Sequence, residues 1–278
     1  MFVIGELING MYSNIALALK DHDKVAVQKC ALEQIHSGAD ALDVCCGPAS
    51  KNPLIDMPWL VEVIQEVTDK PLCLDSSKPK VIAEGLKVAK NKTMINSTTA
   101  DLEKLEILIP LAKKYKSKLI GITISAKGIP QNKDQRLELA AMILDQASEN
   151  GFPVEDLYLD PIVMPINVAQ NQIKDILETI AEFKMISQPS PKTIIGLSNI
   201  SQGVHHVRSG APRRGTSNVE SLRNLINRTF LTMAVASGLD SAILDPQDKE
   251  LMDTLITAEL ILNKNIYCDS YLEAYRKK

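Results

Sequence analysis

PLCLDSSKPKVIAEGLKVAKNKTMINSTTA, residues 71–100, contains a complete strand–helix–strand unit. A short apolar run at 72–74 stops at Asp75-Ser76-Ser77, and a proline then opens a stretch with Val81, Ile82, Leu86 and Ala89 at helical spacing. A second run, Met94-Ile95, stops at Asn96-Ser97-Thr98-Thr99. Two polar clusters therefore stand at the carboxyl ends of consecutive strands, the edge at which α/β proteins bind ligands. Ser77 and Ser97 suit helix N-capping, which stabilises a helix by roughly 1 kcal/mol. Asp75 and Asn96 directly end their apolar runs, so their side chains are expected along the sheet edge, where a ligand would meet them.

Six more runs follow the same pattern. They are 2–4 before Gly5-Glu6, 41–44 before Cys46-Gly47, 119–124 before Ser125, 157–159 before Asp160, 193–197 before Ser198-Asn199, and 242–244 before Asp245. Helical patterns lie between them at 25–35, 59–67, 81–89, 102–115, 136–147, 173–186, 219–236 and 251–262. The runs are mostly apolar on both faces, as buried parallel strands require. Eight βα units in about 250 residues match a single (β/α)8 TIM barrel. A doubly wound sheet is the alternative, and the regular count of eight favours the barrel. With no long linker, one domain is expected over 1–278. One segment after strand seven breaks the rhythm: 203–218, GVHHVRSGAPRRGTSN, is basic and rich in Gly and Ser. It reads as an active-site lid, a partner-contact loop or an insertion.

The 278 residues are 45% hydrophobic, ample for a packed core. A net charge of -3 gives no electrostatic footprint for nucleic acid, so neither RNA nor DNA is an expected partner. The five cysteines have no CxxC pair or zinc-type spacing and read as buried thiols in a reducing cytoplasm. No run reaches the roughly 18 apolar residues of a membrane span, and no basic leader precedes an apolar core. A soluble cytoplasmic protein is expected, and adjacent His205 and His206 are not expected to bind metal.

If the barrel closes, its rim gathers Glu6, Asn9, Asp43, Asp75, Asn96, Ser125, Asp160, Asn199, Gln202 and Asp245. That set holds carboxylates and amides but no His and no Cys-His pair, which suits neither nucleophilic nor imidazole-base catalysis. A Mg site from several Asp residues, or an acid/base pair of Asp75 and Asp160, stays open. A heterocycle with adjacent N–H donors, such as a pterin or guanine, fits better. A carboxylate can accept two parallel hydrogen bonds from it while amides close the remaining donors and acceptors.

GELING near the start, PLCLDSS, MINST, DLYLDPIVMPINVAQ, PKTIIGLSNIS, INRTF and IYCDS occur in that order. Together they resemble the methyltetrahydrofolate:corrinoid/iron-sulfur protein methyltransferases over nearly the whole chain. The resemblance implies a pterin-binding barrel, a homodimer, and transfer of the N5 methyl of methyltetrahydrofolate to Co(I) of a cobalamin carried by a separate corrinoid protein. No bound metal is expected. By motif position, Asp75, Asn96 and Asp160 hold the pterin, Asn199 lies near N5 with Ser198 and Gln202 beside it, and Lys184 reaches the pterin from the sixth helix. Glu6 and Asn9 fall on the corrinoid-facing rim. The family's shorter link after GLSN carries one Arg, which Arg223 matches best, with Arg208, Arg213 and Arg214 as substitutes. The chemistry accounts for the missing base. Attack by Co(I) leaves electron density on N5, and Asn199 is suited to meet it by donating a hydrogen bond.

Three rivals remain. Dihydropteroate synthases resemble the same barrel, but their Asn-Thr-Pro-Asp-Ser-Phe, Ser-Arg-Lys and Arg-Val-His-Asp motifs are replaced by Asn9-Gly10-Met11, Ser198-Asn199-Ile200 and Ile243-Leu244-Asp245. A pterin-binding or corrinoid-docking subunit without turnover would not need Asn199. A metal-dependent barrel lyase would show no affinity for folate.

Overall fold

The structure, a computed structural model, describes residues 1–204 and 217–276. Eight parallel strands close into a barrel in sequence order: β1 (Phe2–Asn9), β2 (Ala41–Cys45), β3 (Leu72–Asp75), β4 (Thr93–Thr99), β5 (Lys118–Ile122), β6 (Leu157–Asp160), β7 (Lys192–Gly196) and β8 (Ser241–Leu244). Around it run α1 (Ser13–Asp21), α2 (Lys24–His36), α3 (Pro53–Gln65), α4 (Pro79–Val88), α5 (Leu102–Tyr115) and α6 (Lys133–Glu149). They are followed by α7 (Ile166–Ala169), α8 (Ile173–Phe183), α9 (Ser217–Ala236), α10 (Lys249–Ile261) and α11 (Tyr271–Arg276).

Local sequence explains these elements. Pro79 begins α4, where its missing N–H costs nothing, and Val81, Ile82 and Leu86 bury one face. In α8 the buried residues Ile176, Thr179, Ile180 and Phe183 repeat at three- and four-residue steps. Asp23, Asn132 and Asp248 cap α2, α6 and α10 by accepting the N–H groups of Ala26, Gln135 and Leu251. Each fully buried Leu or Ile in the layer between barrel and helices contributes roughly 1.5–3 kcal/mol. Inside the barrel, Ile4, Ala41, Cys73, Met94, Ile120, Tyr158 and Ile194 form a separate apolar plug. The barrel is thus filled below its carboxyl-end rim, which becomes the wall of a cup.

Several details differ from the sequence expectation. The first and fourth strands are longer than their apolar runs, continuing to Asn9 and Thr99, because the polar residues that seemed to end them still belong to the ladder. Both ladders shift register, between Gly5 and Ile8 and between Ile95 and Thr98. Asn96 therefore sits within β4, paired with Asp75, rather than at its end. Helix α1 had no counterpart in the sequence reading. Helix α9 starts at Ser217, inside the segment assigned to the loop, and residues 205–216, with His205, His206, Arg208, Arg213 and Arg214, lie outside the described residues. Among the described residues no helix is long and apolar enough to cross a membrane.

Candidate active site

Strand side chains alternate between the barrel interior and the helix layer. Two positions beyond the plug residues Ile4, Ala41, Cys73, Met94 and Tyr158 come Glu6, Asp43, Asp75, Asn96 and Asp160. The parity that makes the first set core makes the second set a polar layer directly above it. Asn96 donates from Nδ2 to Asp43 Oδ1 at 3.0 Å. Cys45 hydrogen-bonds Asp75, and Cys73 hydrogen-bonds Asp43.

Burial governs the electrostatics here. It pushes the Asp43 carboxyl well above the ordinary carboxylate range, with the Asp75 charge adding to the effect and the Asn96 hydrogen bond opposing it. Asp75 is raised by burial, partly offset by Cys45. Burial also raises Asp160 to about 7, against the Ile162 N–H that reaches its Oδ1 at 2.8 Å. Glu6 is likewise raised to about 7 by burial, although the Ser198 hydroxyl donates to its Oε2 at 2.9 Å.

Asn199 lies in a 3-10 turn, Leu197–Ser201, that follows β7 directly. A Cβ on Gly196 would lie 2.9 Å from Asn199 Nδ2, so glycine is the residue that lets this amide fold back over the strand end. Among the described residues nothing hydrogen-bonds the Asn199 side chain. Gly10 and Gly47 join the first two loops in a similar way. A Cβ on Gly10 would stand 2.0 Å from the Cys46 carbonyl oxygen, and Gly47 adopts φ +57 against Gly10.

Glu6, Asn9, Asp75, Asn96, Ser198, Asn199, Gln202 and Arg223 all line one cavity of about 1200 Å³ in the barrel mouth. Asp160 ends the strand two places from β4 and is partly exposed on the same rim, outside the lining of that cavity. Lys184 is elsewhere, which corrects the sequence expectation. It ends α8, and barrel helices run back toward the amino ends of the strands. Its Nζ lies 2.7 Å from Asp240 Oδ2, next to the start of β8, at the opposite end of the barrel from the cavity. Motif position identified its neighbours in sequence but not which way the helix pointed.

The sequence reading placed Asp43 and Asp245 on the rim without assigning them a role, and it missed Tyr12, Asn224 and Asn227, which line the same cavity. With Arg223, the two Asn residues are spaced at i, i+1 and i+4, a polar helical stripe that could have flagged them. Among the described residues no group of three or more His, Cys, Asp or Glu side chains is arranged to hold a metal ion.

A family model described as pterin binding enzyme matches residues 13–245. The chain belongs to the pterin-binding enzyme family. This pterin-binding enzyme is 26% identical over 279 residues to a methylcorrinoid:tetrahydrofolate methyltransferase of Eubacterium limosum, covering 100% of this chain and 97% of that one. It is also 26% identical over 258 residues to methionine synthase of Mycobacterium leprae, where the match spans 87% of this chain but 20% of the relative. Its fold matches a Coxiella burnetii dihydropteroate synthase solved with pteroic acid, with TM-score 0.68, 16% identity and coverage of 95% and 94%. A Yersinia pestis dihydropteroate synthase solved with a pterine-sulfa conjugate gives TM-score 0.66 at 16% identity, with 94% of each chain covered. At that identity the last two report the barrel alone.

Proposed function

We propose that this enzyme moves the N5 methyl group of 5-methyltetrahydrofolate to Co(I) of a corrinoid held by a separate protein, or catalyses the reverse transfer. The observation that carries the reading is the Asn199 amide, a donor without a partner among the described residues, set in the mouth beside the Ser198–Glu6 pair. The name of the full-length Eubacterium limosum relative supports it.

Asp75, Asn96 and Asp160 supply the acceptors and the amide that a pterin edge needs, and hydrogen bonds to a charged partner contribute roughly 1.5–3 kcal/mol each. In the forward direction the Co(I) electron pair forms the bond to the methyl carbon. The bond from that carbon to N5 breaks, and its electron pair returns to N5, where a proton completes tetrahydrofolate. Glu6, raised to about 7, still holds a proton for much of the time near neutral pH. Asn199, near N5, stabilises the developing charge as the proton arrives. The cavity opens at a rim carrying Asn9 and the exposed Met11 and Tyr12, and the corrinoid substrate would approach there on its carrier.

A spectral assay of methyltetrahydrofolate with cob(I)alamin tests this. Methylcobalamin should accumulate with wild type and fall roughly a hundredfold or more with Asn199→Ala. Folate binding without transfer, even to candidate corrinoid proteins, would make the chain a non-catalytic binding subunit. Absence of folate binding would end the assignment.

A further inference from the structure

The most deeply buried cation in the described part of the molecule is Arg136, in the first turn of α6, with 0% exposure. Burying a guanidinium is costly unless its donors find partners. Here they find backbone and amide oxygens. Nε donates to the Pro161 carbonyl at 2.8 Å, NH1 to the Asn132 carbonyl at 3.1 Å, and NH2 to Gln172 Oε1 at 2.7 Å. Among the described residues the carboxylate whose charge bears on it is Asp175, in the first turn of α8, and the two are not within salt-bridge distance. Gln172 in turn donates to Gln131 Oε1 at 3.4 Å. Two connections, one from β5 to α6 at Gln131–Asn132 and one from β6 to α8 at Pro161 and Gln172, are therefore stitched together around one planar fork.

What that fork holds is the turn after β6. Pro161 O belongs to the peptide that joins Pro161 to Ile162, and Ile162 has φ +57, a left-handed conformation that a β-branched residue adopts only when its surroundings enforce it. The Ile162 N–H, the other end of the same peptide, donates to Asp160 Oδ1 at 2.8 Å. Arg136 thus pulls on the oxygen of a peptide whose nitrogen fixes the orientation of Asp160.

We infer that Arg136 is a positioning residue for folate binding, holding the strained Pro161–Ile162 peptide so that its N–H locks the Asp160 carboxyl in the orientation that receives the pterin. The inference rests on the methyltetrahydrofolate reading above. Asp160 would hold a part of the ring remote from the reacting N5, so its contacts are the same in the ground and transition states. Loss of its orientation then weakens binding without slowing the chemical step. Lysine cannot replace Arg136, because an ammonium cannot direct three donors in one plane at three separate acceptors.

The test compares Arg136→Met and Arg136→Lys with wild type in methyltetrahydrofolate titration and in transfer to cob(I)alamin at saturating folate. Circular dichroism and thermal melting check the fold. Both variants should bind folate about tenfold or more weakly while kcat stays within about threefold. Gln172→Leu, which keeps Arg136 and removes one acceptor, should give a smaller loss in the same direction and serves if the Arg136 variants do not fold. Placing Arg136→Met on Asp160→Asn should add little to the Asp160→Asn defect. Folded Arg136 variants with wild-type affinity, a matching fall in kcat, rescue by lysine, or full additivity with Asp160→Asn would overturn the inference. So would wild-type affinity in Gln172→Leu if that is the variant that folds. A wild type that binds no methyltetrahydrofolate would instead remove the reading on which it stands.

Discussion

At the amino ends of the strands, charge is neutralised locally. Lys184 meets Asp240 at 2.7 Å, and Asp240 also accepts the Thr193 N–H at 2.8 Å and the Thr193 hydroxyl at 3.1 Å. Lys118 donates to the Tyr158 hydroxyl at 2.9 Å and lies over the rings of Phe2 and Tyr158. At the carboxyl ends, Glu6, Asp43, Asp75 and Asp160 gather around the mouth, and none of the four makes a salt bridge among the described residues. Burial raises all four toward the neutral acid. One barrel carries both arrangements, so the difference is not a property of the fold. The lower end holds polar groups in stabilising pairs, whereas the upper end holds them in a destabilised state that a ligand with N–H donors can relieve.

Mutating the two ends should separate affinity from stability. The largest effect is expected from Asp75→Ala, which should weaken methyltetrahydrofolate binding roughly a hundredfold, about 2.7 kcal/mol, with no loss of unfolding free energy at pH 8. Isothermal titration and urea unfolding measure the two quantities, and a stability loss matching the affinity loss would erase the contrast. At the other end, Asp240→Ala should cost about 2 kcal/mol of stability by stranding the buried Thr193 N–H, and leave folate affinity unchanged.

Gly196→Ala comes next. Its new methyl group should displace the Asn199 amide, the flexible end of a side chain, and lower kcat about tenfold while the melting temperature stays near wild type. The smallest effect is on Glu6. A folded-state value raised from 4.5 to about 7 means that the native protein keeps a proton the unfolded chain has lost, so this group's stabilising contribution is present below 4.5 and lost as pH rises through 7. Glu6→Gln keeps an acceptor for Ser198 and should therefore stabilise at pH 8 by about 1 kcal/mol, well inside the ceiling of about 3 kcal/mol that the full rise in the carboxyl sets, with the gain vanishing near pH 4. Melting curves across that range would show a pH-independent difference if the carboxyl were not the cause.

The barrel was legible because its apolar runs serve both faces of mostly buried strands and stop at polar residues or glycine, so eight repeats could be counted directly. Asp75 could be read for the same reason, as it follows an apolar run at once, whereas Asn199 stands one residue further on, behind Ser198, and drew its role from the family resemblance. Asn96 was harder. Its neighbours Ser97, Thr98 and Thr99 resemble a loop in composition, yet they continue β4 across a register shift, and composition does not report a ladder hydrogen bond. Lys184 failed on direction, since a motif match carries no information on which end of the barrel a helix terminus faces. Asn224 and Asn227 carry no strand-end signal, because they reach the cavity from a helical wall, α9, and follow no apolar strand run. Arg136 looked like any arginine on an amphipathic helix. Its burial depends on the Pro161 and Gln172 loop, 25 and 36 residues away in sequence.

The seam at Gly10 and Gly47 bears on how this enzyme could be redesigned or could drift. The first two loops of the rim touch backbone to backbone, with no side chain between them to absorb a change. An insertion in one loop would wedge the other outward, and a larger residue at either glycine would part them. Grafting a new partner specificity onto this side of the mouth would therefore mean transplanting both loops together, as a single cassette.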